Sequence, residues 1–582
     1  MLVLSSLFLA FGAAALIAAL GTSLFARFAA ARGLVVVPRS DRWHRAPTPI
    51  LGGAAIALAI IPVALVLAPI GLRVAVVLGC ALAAFALGLL DDFRRLAPAT
   101  KLVGQVLIAA ALFFGGVRVE LIAILPVSFI LTVFWIVAMM NAVNLLDNMD
   151  GLAAGIAVIA AVFLGLAASD VNPEAAILAA VTAGAALGFL VHNFSPARAF
   201  MGDAGSLLLG FLLGTIALLH TTGSAANLTL ALFGPLAILA LPIFDTAFVT
   251  ASRGIAGIPI GQGGRDHASH RLAALGLSDR SAVLVLWGIA ILLATLGLVA
   301  DAVSALIAPL FVLAAVGMVL FGIFLHDVEV YGEHRRETAV SRALGTYGRF
   351  GAEIGLDVLL LTTAYYVAWL IRFDGQPLKD WIYLFGPSVP LVVAVQLTSL
   401  VGFGVYRTLW RYLGVSDGIG IVRAIVVGTA AAALGVLLIY RFQEYSRAVF
   451  VVDAVLASVL IIGARVSLLW LRNTVTGRPA SDARRVLVVG AGDNGALALR
   501  MLTRATAKRY RPVGFVDDDP GKRYRRVGGV PIVGTLDELE EVIERTAADL
   551  VILSLDDEVV AAKVRAVCAA RRIECRPFLI SV

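Results

Sequence analysis

The chain has 582 residues, of which 60% are hydrophobic and only 15% are charged, and its formal net charge is +7 at pH 7. Apolar runs of about 18 to 25 residues recur over most of its length, and each is long enough to span a bilayer. Its three cysteines are too few for a disulfide framework, and no Cys/His spacing is typical of structural zinc. The sequence therefore predicts a polytopic membrane protein.

Taken in chain order, the apolar runs predict about eleven spans up to His326 and about four more between Gly351 and Leu471, or about 15 transmembrane helices. The first run, Leu2 to Ala31, is too long for a cleaved signal and is interpreted as a retained span. The positive-inside rule explains the arginines of alternate loops without nucleic acid as a partner. We expect a multi-pass protein of the bacterial inner membrane, with these loops and the polar C-terminal part in the cytoplasm.

Changes of composition divide the chain into four predicted segments. Residues 1–325 and 351–471 hold the apolar runs, whereas 326–350 is too polar to span and too short to fold alone. In residues 481–582 a β-type run from Arg485 to Gly490 precedes a glycine turn and an amphipathic helical pattern. The expected fold is a polytopic α-helical membrane protein with a C-terminal cytoplasmic α/β Rossmann-like domain.

Acidic side chains lie at the inner ends of several predicted spans, where a carboxylate is costly unless it is paired, hydrated or bound to a metal. Asp91 and Asp92 end one span, and Lys101 and Gln105 share a face of the next helix. Two adjacent carboxylates beside a lysine suit Mg2+ and phosphate. Solvated charges that balance neighbouring arginines are the alternative, and this motif alone leaves both open.

A second group of polar residues follows a later span. Asn144, Asp147 and Asp150 recur every three residues and so fall on one side of a helix. A helix cap needs only one such residue, so the pattern favours a lined polar cavity. Further on, Gly202 allows close backbone approach and Asp203 offers a hard oxygen ligand, although the same residues suit an ordinary turn.

Basic residues cluster in a loop after a further span. His267 and His270 lie three residues apart, and Arg265 and Arg271 flank them. Such a cluster suits a diphosphate. The alternative is a positively charged membrane anchor in which the histidines are incidental.

Together these motifs resemble, in order and spacing, the polyprenyl-phosphate N-acetylhexosamine-1-phosphate transferase family over about residues 1–325. The segment from Arg39 to Gly53 is similar to that family's first inner loop. A bacterial relative that acts on UDP-MurNAc-pentapeptide has three consecutive histidines, whereas Ser269 interrupts the run here. The resemblance therefore favours the amino-sugar branch.

The resemblance implies transfer of N-acetylhexosamine-1-phosphate from a UDP-sugar to undecaprenyl or another polyprenyl phosphate, with release of UMP, as the initiating step of cell-surface polysaccharide synthesis. It implies Mg2+ or Mn2+ at Asp203 and Asp92, a proton-accepting or lipid-orienting Asp91, and a phosphate-neutralising Lys101. The implied substrate-binding and diphosphate-binding residues are Asn144, Asp147, Asp150, Asn193, Phe200, Gly202, Arg265, His267, His270 and Arg271.

The later segments resemble the membrane region and N-terminal Rossmann-like part of the nucleotide-sugar 4,6-dehydratase and epimerase family. Gly490, Gly492 and Gly495 follow a strand and open a helix, and Asp517 comes about 25 residues later, as in a dinucleotide-binding motif. The glycines could equally serve only to let strand and helix pack closely. The motif is therefore compatible both with a bound nucleotide cofactor and with a purely structural role in this domain.

Two other functions fit a polytopic chain of this kind. A transporter or flippase for lipid-linked sugars should carry polar residues at mid-span, whereas the acidic and histidine motifs here lie at predicted inner ends. The second alternative function is a scaffold for nucleotide-sugar-modifying enzymes. The expected partners are a polyprenyl phosphate lipid, a UDP-amino sugar and the membrane, with a second copy of the chain or modifying enzymes as further candidates.

Overall fold

The computed structural model describes most of the chain, and its residues form two compact units, Met1–Val466 and Ser467–Val582. The described residues are 2–36, 48–69, 71–120, 124–221, 228–256, 264, 266–299, 307–326, 339–373, 381–407, 414–441, 445–476, 483–505, 510–522, 525–555 and 557–578.

Helices dominate the described part of the first unit. They are α1 (Leu2–Ala31), α2 (Gly52–Leu67), α3 (Leu72–Arg94), α4 (Pro98–Phe114), α5 (Leu125–Leu146), α6 (Leu152–Ala168), α7 (Pro173–Asn193), α8 (Gly202–Thr221), α9 (Leu228–Ile238), α10 (Ala240–Ala256), α11 (Ala268–Ala274), α12 (Asp279–Val299), α13 (Ile307–His326), α14 (Ala339–Arg372), α15 (Ile382–Gly402), α16 (Val415–Tyr440) and α17 (Arg447–Thr476). Two short strands, β1 (Val35–Val36) and β2 (Thr48–Pro49), pair antiparallel.

Within the described residues, ten helices are long and apolar enough to cross a membrane, and four shorter apolar helices accompany them. The prediction of a multi-pass membrane protein is confirmed. Four of the ten candidate spans lie in α14 to α17, and the division of the chain into membrane domains stays a prediction. The predicted total of about 15 is not confirmed. Apolar composition does not fix helix length: α2, α4 and α6 have only 16 or 17 residues, and the run after residue 228 is divided between α9 and α10.

Small residues in the apolar runs determine how closely the helices pack. A Cβ atom on Gly184 would lie 2.1 Å from the carbonyl oxygen of Phe11, and one on Gly188 would lie 2.1 Å from that of Ala15. The backbones of α1 and α7 therefore touch, which is the close van der Waals contact that holds helices together in lipid. The α1–α7 contact lies beside the inward-facing alanines Ala10, Ala14 and Ala18, which are fully buried.

The second unit is an α/β domain with a six-stranded sheet. Its elements are β3 (Arg484–Val489), α18 (Asp493–Ala505), β4 (Tyr510–Val516), β5 (Arg526–Val527), β6 (Val530–Gly534), α19 (Leu539–Thr546), β7 (Leu550–Leu553), α20 (Glu558–Ala570) and β8 (Glu574–Pro577). The strand order is β5-β6-β4-β3-β7-β8, and every pairing is parallel except β5 with β6.

Both faces of this sheet are covered. Leu487 and Val489 of β3 pack in one hydrophobic cluster, and Val486 and Val488 pack in another. Strands that are buried on both faces read as continuous apolar runs, which is why the run at Arg485 to Gly490 could be predicted as a strand. The expected C-terminal α/β fold is confirmed.

A buried ion pair joins the first and last of the four later spans. Arg465 of α17 donates from its guanidinium to Oδ2 of Asp357 on α14 at 2.9 Å, and both side chains are 1% exposed. The hydroxyl of Tyr406 donates to the same oxygen at 2.7 Å. Because hydrocarbon surrounds these helices, a charge left here without its partner has no water to replace it.

Replacing one partner of this pair should cost more than replacing both. We expect Arg465→Met to destabilise the protein by about 3 to 5 kcal/mol, because the Asp357 carboxylate loses its counter-charge, whereas the double variant Asp357→Leu/Arg465→Met should lose less. Thermal unfolding of the wild-type protein, of Arg465→Met, of Asp357→Leu and of the double variant in the same detergent measures this. A double variant whose melting temperature falls by the sum of the two single losses would contradict the expectation.

Candidate active site

One lysine and three polar side chains, here called the lysine–aspartate cluster, converge at the ends of four helices. Lys101 of α4 donates from Nζ to Oδ2 of Asp91 at 3.0 Å, to Oδ1 of Asn144 at 3.3 Å, and to Oδ2 of Asp203. Asn144 in turn donates from Nδ2 to Oδ1 of Asp203 at 3.0 Å. The structure therefore brings together residues that lie up to 112 positions apart in the sequence.

An amide pair supports this cluster from one helical turn behind it. Asn141 donates from Nδ2 to Oε1 of Gln105 at 2.8 Å, and Gln105 donates back at 3.4 Å. Gln105 is 1% exposed and follows Lys101 by four residues, as Asn144 follows Asn141 by three. The pair therefore fixes how α4 and α5 present Lys101 and Asn144.

Asp92 has a different environment from its neighbour Asp91. Its two carboxylate oxygens accept the backbone N–H groups of Asp203 at 2.8 Å and of Ala204 at 3.0 Å. These are amides of the first turn of α8, where a negative charge is favoured. Gly202, with φ of +66°, brings the chain against this carboxylate. The contacts support a positioning role for Asp92, and its predicted role as a metal ligand stays a prediction.

The backbone around Asp203 is enclosed by glycines. A Cβ atom on Gly88 of α3 would lie 2.3 Å from the carbonyl oxygen of Asp203, and one on Gly53 would lie 2.4 Å from the amide nitrogen of Gly205. Gly53 also donates its N–H to the carbonyl oxygen of Met201 at 3.0 Å. Sequence reasoning gave Gly88 no role, because nothing in an apolar run distinguishes a glycine that contacts backbone from one that faces lipid.

The loop before α8 is held by two of the predicted substrate-binding residues. Asn193 is 2% exposed; its Oδ1 accepts the N–H of Gly151 and its Nδ2 donates to the carbonyl oxygen of Ala199, both at 3.0 Å. Asp150 accepts the N–H of Ala197 at 2.9 Å. Phe200 ends this loop, and its N–H donates to the carbonyl oxygen of Pro49 at 2.8 Å.

Asp147 stands apart from the other carboxylates. It follows the last residue of α5 and accepts no hydrogen bond from any described residue. Burial, together with the negative charges of Asp203, Asp92 and Asp150, raises the pKa of Asp147 to about 8. A cation close to this carboxylate would relieve that unfavourable environment.

Residues 266–271, here called the histidine segment, form a second buried group. Asp266 accepts two hydrogen bonds from Arg253, each 2.7 Å long. Burial acts to raise the pKa of Asp266, but the Arg253 hydrogen bonds and charge outweigh it and hold the pKa below its usual value. Nδ1 of His267 lies 2.7 Å from Oδ2 of Asp245, a contact that the motifs did not predict.

The histidine segment is tied to the end of α5. Ser269 donates from Oγ to Oδ1 of Asn148 at 2.6 Å, and Asn148 adjoins Asp147. His270 is 4% exposed, and its ring lies 6.1 Å from that of His267 between centroids. Arg271 donates to the carbonyl oxygens of Asp266 and Leu325. Arg265 and the first inner loop from residue 37 to residue 47 lie outside the described residues.

The glycine loop of the C-terminal domain is closely packed. Gly490 has φ of +100°. A Cβ atom on Gly495 would lie 1.9 Å from the carbonyl oxygen of Gly490, whereas a Cβ atom on Gly492 would have nothing within 4 Å. Asp517 accepts the N–H of Ala491 at 2.7 Å and an ammonium hydrogen of Lys522 at 3.0 Å. Desolvation opposes ionisation, but these bonds and the one from the Asp519 N–H keep the pKa of Asp517 below its usual value.

These contacts account for Gly490, Gly495 and Asp517 as parts of a strand–turn–helix junction. They use the Asp517 carboxylate within the domain, where a dinucleotide site would use it on a ribose. Nucleotide binding at this loop stays a prediction.

The carboxylate oxygens near Asp203 suit a divalent metal. No group of three or more His, Cys, Asp or Glu side chains in the described ranges is arranged to hold a metal ion. Mg2+ is commonly bound through only one or two carboxylates and completes its shell with water and substrate phosphates. Asp147, unpartnered in the described structure and surrounded by negative charge, is the feature that a divalent cation fits.

Comparison with known proteins relates the chain to two protein families. The family model described as glycosyl transferase family 4 matches residues 74–221, and the model described as CoA-binding domain matches residues 402–561. The chain is 34% identical over 281 residues to a probable undecaprenyl-phosphate N-acetylglucosaminyl 1-phosphate transferase of Bacillus subtilis, covering 46% of this chain and 77% of that protein.

Two further relatives are informative. The decaprenyl-phosphate N-acetylglucosaminephosphotransferase of Mycolicibacterium smegmatis is 31% identical over 296 residues, which is 44% of this chain and 72% of the relative. The phospho-N-acetylmuramoyl-pentapeptide-transferase of a Synechocystis strain is 38% identical over 213 residues, covering 32% of this chain and 56% of the relative.

A polytopic helical fold, with carboxylates and a lysine gathered at helix ends, suits a membrane protein that acts on phosphate groups. The chain belongs to the polyprenyl-phosphate N-acetylhexosamine-1-phosphate transferase family. The CoA-binding-domain match is consistent with the predicted fusion to a Rossmann-like region.

The glycine contact behind Asp203 predicts a selective loss of activity. Gly88→Ala places a methyl group against backbone that cannot move without displacing Asp203, so we expect turnover to fall by about 100-fold and stability by about 1 to 3 kcal/mol. Gly79→Ala is the matched control, because Gly79 lies on the same helix and has nothing within 4 Å. Turnover and melting temperature of both variants check this; equal turnover in the two would contradict it.

Proposed function

We propose that the protein transfers N-acetylhexosamine-1-phosphate from a UDP-amino sugar to undecaprenyl or another polyprenyl phosphate and releases UMP, as the initiating step of cell-surface polysaccharide synthesis. The observation that carries the proposal is the lysine–aspartate cluster, in which Lys101 contacts Asp91, Asn144 and Asp203. The names of the relatives from Bacillus subtilis and Mycolicibacterium smegmatis support the same reaction class.

The reaction joins two anions. An oxygen of the lipid phosphate forms a bond to the β-phosphorus of the UDP-sugar, the bond from that phosphorus to the bridging oxygen breaks, and UMP leaves with the bonding electrons. Charge neutralisation is therefore the main task of the site. Lys101 supplies one positive charge, and Asp91, 3.0 Å from its ammonium group, is placed to orient the lipid phosphate or accept its proton.

Asn144, Asp147 and Asp150 are proposed to line the sugar and nucleotide site together with Asn193, Phe200 and Gly202. The loop contacts of Asn193 and Asp150 support a role in shaping this site. Phe200 offers an aromatic face on which uracil can stack. His267, His270, Arg265 and Arg271 are proposed to contact the diphosphate, since imidazolium and guanidinium groups suit phosphate oxygens.

A divalent cation, Mg2+ or Mn2+, is proposed to be held by Asp203 and Asp92, with Asp147 as a further oxygen donor. When bound, it would neutralise phosphate charge in the transition state. The side chains themselves position it: Asn144 and Lys101 fix the Asp203 carboxylate, and the α8 amides fix Asp92. Both oxygens of Asp92 and both oxygens of Asp203 already accept hydrogen bonds, so Asp147 has the greatest remaining capacity to bind the metal.

The active site is proposed to face the cytoplasm of a bacterial cell, together with the C-terminal domain. The arginine-rich loops predicted at the same side support this placement through the positive-inside rule. The C-terminal domain and the four spans before it are proposed to bring nucleotide-sugar-modifying enzymes, or a second copy of the chain, to the transferase.

Release of UMP by the purified protein in detergent, with undecaprenyl phosphate and UDP-GlcNAc, tests the reaction. We expect release to need both the lipid and Mg2+, to stop with EDTA, and to fall by about 100-fold or more in Asp203→Asn, because that carboxylate is fixed within the cluster. Asp170→Asn is the matched control, since Asp170 is an exposed aspartate outside the site.

A panel of other UDP-amino sugars under the same conditions identifies the preferred donor. No UMP from any of them, with a folded protein and with lipid and metal present, would show the transferase proposal to be wrong and would favour transport or scaffolding. Full activity of Asp203→Asn would reject only the assignment of the metal to that residue.

A further inference from the structure

Asp245 is a buried carboxylate that the motifs leave without a role. It lies on α10, 22 residues before His267 in sequence, and is 2% exposed. Its Oδ2 is 2.7 Å from Nδ1 of His267, and its Oδ1 accepts the N–H of Ala268 at 2.9 Å. One side chain thus fixes both the His267 ring and the first turn of α11.

These contacts determine where the protons of the ring lie. A carboxylate only accepts hydrogen bonds, so Nδ1 of His267 is the donor toward Asp245. Nε2 then carries a hydrogen only when the ring is an imidazolium. Nε2 makes no hydrogen bond to any residue that the structure describes, so it is the ring atom left for a ligand.

The other charged groups around the histidine segment are already paired. Asp266 is bound by two nitrogens of Arg253. Arg271 donates to carbonyl oxygens and stacks over the Phe248 ring, and His270 lies edge-on to His267. Within the described residues His267 is therefore the group that can supply a positive charge to Asp245. An imidazolium, unlike the neutral ring, would pair a positive charge with this buried carboxylate and would carry a hydrogen on both ring nitrogens.

The histidine segment also contacts the residues that follow α5. Ser269, two residues after His267, donates to Asn148 at 2.6 Å, and Asn148 is the neighbour of Asp147. Asp245 therefore holds the imidazole, and Ser269 anchors the segment that carries it to the residues that follow α5.

We propose that Asp245 is a positioning residue that holds His267 as an imidazolium whose Nε2–H is presented to the diphosphate of the UDP-sugar. The inference rests on the proposed transferase function and adds to it the residue that sets the charge and orientation of the histidine. Asp245 acts through His267 and does not itself touch the substrate.

The pH dependence of kcat tests this, because a purely structural role would not move it. With saturating lipid and UDP-sugar, the wild-type kcat should fall as the pH rises and the His267 ring loses its proton. In Asp245→Asn the attraction for the charged ring is lost, so the same fall should occur at least about one pH unit lower. Asp245→Glu, which keeps the carboxylate, should retain the fall near the wild-type pH.

A double-variant cycle shows whether Asp245 acts through the histidine. The kcat of His267→Gln should not show the alkaline fall that is assigned to the His267 ring. Adding Asp245→Asn to His267→Gln should leave kcat unchanged. If Asp245→Asn does not fold, Asp245→Ser takes its place, since a hydroxyl can still accept the Ala268 N–H. Melting temperatures are measured for every variant.

Two results would overturn the proposal. One is an alkaline fall in kcat at the wild-type pH in Asp245→Asn. The other is an equal loss of kcat from Asp245→Asn in the wild-type and His267→Gln backgrounds, which would make Asp245 structural. Absence of UMP release from the wild-type protein would instead refute the transferase function on which the inference rests.

Discussion

The position of the Lys101 ammonium group is the constraint on which the rest of the site depends. Asp91, Asp92, Asp147 and Asp203 are gathered near the ends of apolar helices, and two like charges about 4 Å apart repel by about 4 kcal/mol where the effective dielectric is about 20. Lys101 offsets part of this through its bonds to Asp91 and Asp203. The same charge imbalance makes the site receptive to a metal and to an ammonium or guanidinium group, but not to an anion alone.

Much of what holds these charges in place is main chain and not side chain. Asp92 binds the first amides of α8, Asn193 binds the backbone on either side of its loop, and Gly53 and Gly88 let backbone approach Asp203. A site built in this way is rigid, because main-chain groups cannot change rotamer. Substitutions at such positions therefore affect turnover without touching the substrate, and kinetic data on them report geometry more than chemistry.

The sequence singled out several residues that the structure brings together, namely Asp91, Lys101, Asn144 and Asp203, but not the contacts that each of them makes. The three-residue period predicted Asn144, Asp147 and Asp150 on one side of a helix. The prediction is wrong for two of them, because α5 ends at Leu146 and Asp147 and Asp150 follow it. Spacing could not separate Asp91 from Asp92, because two adjacent aspartates differ only in the direction each faces on α3. The contact of Asp245 was missed because its partner lies 22 residues away in the sequence. The count of about 15 spans is not confirmed for a related reason: apolar composition does not record where a helix stops.

The two membrane parts show how structural and chemical uses of buried charge can be told apart. Asp357 is satisfied by Arg465 and Tyr406 within the bundle, an arrangement that fixes packing. In the transferase part, Asp147 and Nε2 of His267 keep hydrogen-bonding capacity that no described residue uses. A buried polar group that is left incomplete costs stability, so its presence beside a lysine–aspartate cluster is best explained by a ligand that completes it. Other buried polar atoms of the described residues, such as Oδ1 of Asp453 and Oε1 of Gln396, also make no hydrogen bond. Unused capacity therefore points to a ligand only where another observation agrees, as it does for Asp147, whose carboxylate lies in the field of Asp203 and Asp92.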